Sequence, residues 1–221
     1  MNSGHLYTKI RVDRLLFMID LKQHHRYAED REEFLRLFRR KNLRFWVPAQ
    51  IVREAILQSD YRIERVEGLE PGVLGLCAPE QGAVLIPRDF QRRLLHPQTS
   101  SQVMHQTLAH ELGHIRLHGE SMKQGVKEPG WEAEAELYAQ VFLVPRYRLL
   151  KCLETQALLR AKEFCQSVRW GYILRLAEEF RVTGSFMAKT LQMYGLIHLD
   201  RARRFVSIPL KAQESSRLAF G

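Results

Sequence analysis

The chain has 221 residues, 45% hydrophobic and 27% charged, a balance that excludes a wholly disordered chain and suffices for one domain and part of a second. Three cysteines, Cys77, Cys152 and Cys165, without a short CxxC spacing, exclude a secreted disulfide framework. No apolar run reaches the roughly 18 residues of a membrane span, and Leu15–Ile19 is too short for a signal peptide, so the expectation is a cytoplasmic protein that does not engage a membrane.

The net charge of +9 is unevenly spread. Residues 1–60 carry 12 Lys and Arg against 8 Asp and Glu, residues 61–159 carry 11 against 12, and residues 160–221 carry 11 against 5. A near-neutral centre thus lies between two basic ends, which read either as solvated helix faces or as a footprint for nucleic acid or an acidic partner.

In chain order, helices are expected over 10–20 and 28–40, the second from the recurrence of Phe34, Leu37 and Phe38. Pro48 suits the first turn of a helix running to about Gln58. Strands follow at Tyr61–Val66, Val73–Cys77 and Ala83–Ile86, the last two joined by the hairpin signal Pro79-Glu80-Gln81-Gly82. Thr99 with Gln102 resembles a capping box, opening a helix expected to run to about His118 and stop at Gly119. A loop over 119–130 precedes a helix from Trp131 to Leu143, closed by Pro145. Helices are expected at 147–164, 168–180 and 186–194, with a turn at Val182–Ser185, a closing strand at Phe205–Ile208 and a loose tail after 210.

The chemistry is concentrated in His110-Glu111-Leu112-Gly113-His114, an HExxH motif. Residues four apart lie one helical turn above each other, so two imidazoles can converge on one zinc ion. Glu111 is too far round to bind the metal and is placed to take a proton from a water there. Met104, Leu108, Leu112 and Ile115 form an apolar stripe on the opposite side, giving the helix a core face and a site face. His118 lies about 12 Å along the axis from His110 and reads as a C-terminal helix cap rather than a ligand.

For a third ligand, the wheel of 131–143 sets Glu132, Glu136 and Gln140 on one arc, expected to be solvated. Glu134 falls opposite, beside Leu137, Tyr138 and Val141. A carboxylate on a buried face needs a cation, and zinc on His110 and His114 would supply it. An arginine partner, or a wheel shifted by one residue, is the alternative.

These residues carry a resemblance. His110–His114, followed by Glu134-Ala135, Tyr138-Ala139 and Phe142-Leu143-Val144-Pro145, resembles the ImmA/IrrE family of metallopeptidases. Gly75 and Ala83–Pro87 upstream extend the likeness, as do Trp170, Leu176–Phe180 and Gly195-Leu196-Ile197 downstream, over roughly residues 45–200. It implies an α+β zincin-like core (a small sheet with active-site helices) followed by a helical, helix-turn-helix-like region. It also implies a zinc set of His110, His114 and Glu134 with Glu111 as catalytic acid and base, and a protein substrate, a helix-turn-helix transcriptional repressor whose cleavage relieves repression. Glu136 stands where Asn or Asp is usual, and Tyr138 where Phe is usual. The expected organisation is a basic helical extension over 1–45, a peptidase core over 46–160, a helix-turn-helix-like region over 161–210 and a tail over 211–221.

Tyr138, Tyr172, Tyr194 and His198 are candidate donors to an oxyanion. The competing class is a DNA-binding regulator with a structural zinc site, reading bases through 185–194. That segment offers only Lys189, Gln192 and small hydroxyls, with Arg201, Arg203 and Arg204 for phosphates, so the expectation is at most weak, non-specific nucleic-acid binding. A non-catalytic zinc-stabilised interaction module is a third class, and Glu111 argues against it.

Overall fold

Alternating and continuous apolar runs between residues 61 and 87 form a small mixed sheet in the computed structural model, which describes residues 21–37, 45–126, 128–155, 168–199 and 205–207. Strand β1 (Arg62–Val66) runs parallel to β3 (Ala83–Pro87), and β2 (Leu76–Ala78) pairs antiparallel with β3 on its other side. All five residues of β3 are buried, as a central strand of hydrophobic residues requires. The hairpin signal forms a short 3-10 turn at Pro79–Gln81, closed by Gly82 in the left-handed region at φ 58°.

Two helices precede the sheet, α1 (Leu21–Leu37) and α2 (Ala49–Gln58), the latter entered through Pro48. Behind the sheet lies the 24-residue α3 (Ser100–Lys123), packed along α4 (Trp131–Leu143). Then follow α5 (Arg146–Thr155), α6 (Trp170–Phe180) and α7 (Gly184–Met193). A two-stranded ribbon of β4 (Ile197–Leu199) and β5 (Phe205–Ser207) closes the described chain. The expected α+β class holds, with helix predominating among the described residues.

One hydrophobic core unites the elements, from Tyr27 and Leu35 of α1 through Leu108 and Leu112 of α3 to Phe186 and Leu191 of α7. The basic N-terminal segment is therefore partly structural. Asp30 of α1 accepts hydrogen bonds from the Tyr138 hydroxyl and from Arg116 Nη2 (2.5 Å), while Tyr27 packs on the Tyr138 ring at 5.3 Å. The expected helix over 10–20 and the tail after 210 lie outside the described residues. Cys77 and Cys152 are buried, and among the described residues no helix is long and apolar enough to cross a membrane.

Several local expectations are corrected. Helix α3 passes through Gly119 and ends at Lys123, because burial of His118 and Gly119 against the fold outweighs the glycine stop signal. The capping box does not form: the Thr99 hydroxyl donates instead to the His96 carbonyl at 2.8 Å, within a 3-10 turn begun by Pro97. Strand β4 was not expected as a strand; it exists by pairing with β5. Helix α7 starts at Gly184, where Thr183 accepts from the Phe186 amide as a side-chain N-cap.

Candidate metal centre

Helices α3 and α4 approach closely where Gly113 faces Ala135. A Cβ on Gly113 would stand 3.0 Å from the Cα and carbonyl oxygen of Ala135 and 3.2 Å from the Tyr138 Cβ. The glycine inside the HExxH motif therefore sets the helix separation. At that separation the first turn of α4 reaches the histidines of α3.

His110 Nε2 and His114 Nε2 are 3.1 Å apart. Glu132 closes the triangle, with Oε2 3.2 Å from His110 Nε2 and Oε1 3.3 Å from His114 Nε2. A tetrahedral zinc with nitrogen and oxygen ligands near 2.0–2.1 Å has ligand–ligand edges of about 3.3 Å. The three side chains thus fit a metal ion of that kind, and they form the candidate metal-holding group among the described residues. Burial, with His110 as the next cause, depresses the His114 pKa to about 4, so its ring is neutral, the form a ligand needs.

The wheel is corrected here. Glu132 faces the histidine pair while remaining 83% exposed, and Glu134 turns to His118, whose Nε2 lies 2.8 Å from Glu134 Oε2. Glu134 is itself half-exposed, at 47%. Glu132 is solvent-exposed, as expected, but the arc it shares with Glu136 and Gln140 turns into the fold along its length, Gln140 being 5% exposed. Glu136 Oε2 stands 3.9 Å from His110 Nδ1 and its Oε1 3.3 Å from Lys189 Nζ of α7. His118 is not a C-terminal cap; it is buried more than a turn inside the end of α3 and stacked on Trp131 at 4.6 Å and 6°.

Glu111 is 4% exposed and lies on the sheet side of α3. Its carboxylate accepts a hydrogen bond from the Cys77 backbone of β2. Gly75 makes the room: a Cβ there would stand 2.7 Å from Glu111 Oε1 and 2.5 Å from Thr107 Cγ2. Burial, then the Glu132 charge, push the Glu111 pKa up to about 8, making it a strong proton acceptor once ionised.

Two candidate oxyanion donors are otherwise engaged. The Tyr138 hydroxyl is on Asp30, and that of Tyr194 donates to the Val144 carbonyl at 2.8 Å. Tyr172 and His198 are exposed and lack a described contact with the histidine cluster. Sequence reasoning did not place Glu132 or Cys77 at the site and had Gly75 only as part of the family likeness. The signal for Glu132 was the acidic i,i+4 pair, Glu132 and Glu136, matching the i,i+4 histidines across a glycine crossing.

A helix carrying two convergent imidazoles and a buried carboxylate, crossed by a second helix that supplies another carboxylate, is the architecture of a metallopeptidase. The family model for the IrrE N-terminal-like domain, Peptidase_M78, matches residues 82–192, and the chain belongs to this ImmA/IrrE-type family. Comparison with curated proteins and with solved structures gave no significant match.

Proposed function

We propose that the protein is a zinc-dependent endopeptidase whose metal ligands are His110, His114 and Glu132, with Glu111 as acid and base, and whose substrate is a helix-turn-helix transcriptional repressor. The observation that carries the catalytic reading is the convergence of three ligand atoms at tetrahedral spacing beside a buried carboxylate. Zinc held there supplies Lewis-acid polarisation of the scissile carbonyl and a lowered pKa for water.

The protein's own groups do the rest. Glu111 accepts the proton of the attacking water and returns it to the leaving amine, held in place by the Cys77 amide and by the gap at Gly75. The Glu136 carboxylate backs His110 from the Nδ1 side. Helices α6 and α7 form the helix-turn-helix-like unit of this reading. Lys189, its one basic candidate base reader, is paired with Glu136 beside the centre, which favours a supporting role for α7 over DNA reading.

The test is elemental analysis combined with incubation against the helix-turn-helix repressor encoded next to the protein. One zinc per chain is expected, lost in Glu132→Ala and retained in Glu134→Gln, together with cleavage of the repressor. Loss of zinc in Glu134→Gln but not in Glu132→Ala would return the third ligand to Glu134. An intact repressor after incubation with the zinc-loaded protein would remove the substrate assignment.

A further inference from the structure

His118 sits outside the ligand triangle, yet it is buried, aromatic-stacked and bonded at both ring nitrogens. Its Nδ1 is 3.4 Å from His114 Nδ1, and its Nε2 is 2.8 Å from Glu134 Oε2. We propose that His118 is the positioning residue of His114, and that Glu134 acts on the centre through it. The proposal rests on the ligand set given above.

The argument is one of proton accounting. His114 Nε2 faces His110 Nε2 and Glu132 Oε1, so its lone pair must point into the triangle if it is to hold a cation. A neutral imidazole then carries its single hydrogen on Nδ1. That hydrogen points toward His118 Nδ1, which must accept and therefore carries none. The hydrogen of His118 is left on Nε2, where the Glu134 carboxylate accepts it. Each nitrogen is used once, and a carboxylate at the far end fixes both tautomers. Trp131, parallel to the His118 ring at 4.6 Å, holds that ring in the plane the chain of bonds requires. His118 cannot be a fourth ligand in this arrangement, because it meets His114 at the nitrogen facing away from the triangle.

The two histidine ligands are thus supported differently. His110 has a carboxylate directly at its Nδ1 side, Glu136 at 3.9 Å, whereas His114 has an imidazole and then a carboxylate. This gives Glu134 a role at the centre although it does not touch the triangle. It also explains why a half-exposed glutamate points inward.

The test measures zinc affinity of the full-length protein by competition with a chromophoric chelator. His118→Phe keeps a ring against Trp131 but offers no acceptor, and zinc binding is expected to weaken about 10- to 100-fold, the usual effect of losing such a partner. His118→Asn places an amide oxygen where Nδ1 was, and it is expected to restore affinity to within about threefold of wild type, a rescue that a packing role would not give. Glu134→Ala should weaken binding in the wild-type background and have no further effect in His118→Phe, since it acts through that ring.

Unchanged affinity in His118→Phe, with zinc lost in Glu132→Ala, would overturn the positioning role and leave the ligand set standing. Zinc retained at wild-type affinity in Glu132→Ala would overturn the ligand set itself. Should His118→Phe fail to fold, the Asn rescue and the Glu134→Ala comparison in the His118→Asn background decide: affinity lost in His118→Asn overturns the proposal.

Discussion

Glu111 shows how much a single side chain owes to its neighbours. Burial and the Glu132 charge raise its pKa, the Cys77 amide lowers it, and a cation between Glu132 and the histidines would cancel the Glu132 contribution. Glu111→Gln is nearly isosteric and cannot accept a proton, so it should keep zinc and fold while losing about 10²–10⁴ in peptidase rate, measured on the cleaved substrate. Gly75→Ala should do related damage from outside: its methyl group would press on Thr107 and Glu111, so turnover should fall at least about tenfold while zinc content holds. The histidine pair and Glu111 were legible in the sequence because four-residue spacing is a property of one helix. Glu132 was not, because a wheel gives the arc but not which helix lies against it. Gly75 and Cys77 were invisible as site residues, their role arising only where β2 passes α3.

At the scale of elements, the crossing of α3 and α4 carries the site. Gly113→Ala would place its methyl against backbone, which cannot swing aside, so the helices must part. We expect a loss of about 1–3 kcal/mol in urea unfolding together with weakened zinc binding. The bolt from α1 is a second dependence. Asp30→Ala would leave the buried Tyr138 hydroxyl without its acceptor and should cost about 1–3 kcal/mol, whereas Asp30→Asn, still an acceptor, should cost less. The expected elements mostly formed, since apolar periodicity reports burial directly. The errors fell at ends and short pieces. Gly119 continued a helix because tertiary packing surrounds it, and β4 had no signature of its own because three residues become a strand only through a partner.

For the molecule as a whole, the buried His105 links stability to acidity. Burial lowers its pKa to about 4, against a hydrogen bond to the Arg181 backbone that raises it, and its Nε2 has no hydrogen-bond partner among the described residues. The unfolded chain takes up this proton near the ordinary value of 6.5 and the folded chain only near 4, so stability is lost as pH falls through that window. Between pH 7 and pH 5 the loss from this residue is about 2 kcal/mol. Urea titrations at the two pH values should show the dependence reduced by that amount in His105→Gln, the comparison with wild type removing other titrating groups.

The family match begins at Gly82, ahead of every proposed ligand. The groups that complete the arrangement come earlier: the Cys77 amide and the gap at Gly75 beside Glu111, and the Asp30 carboxylate that ties Arg116 and Tyr138. The boundary of likeness is therefore not the boundary of the working unit. A fragment cut by likeness alone would carry the whole proposed ligand set and leave behind the strand that meets Glu111 and the helix that ties Arg116 and Tyr138. A fragment that keeps this arrangement starts upstream of Asp30, because α1, although outside the matched stretch, shares the core and ties Arg116 and Tyr138.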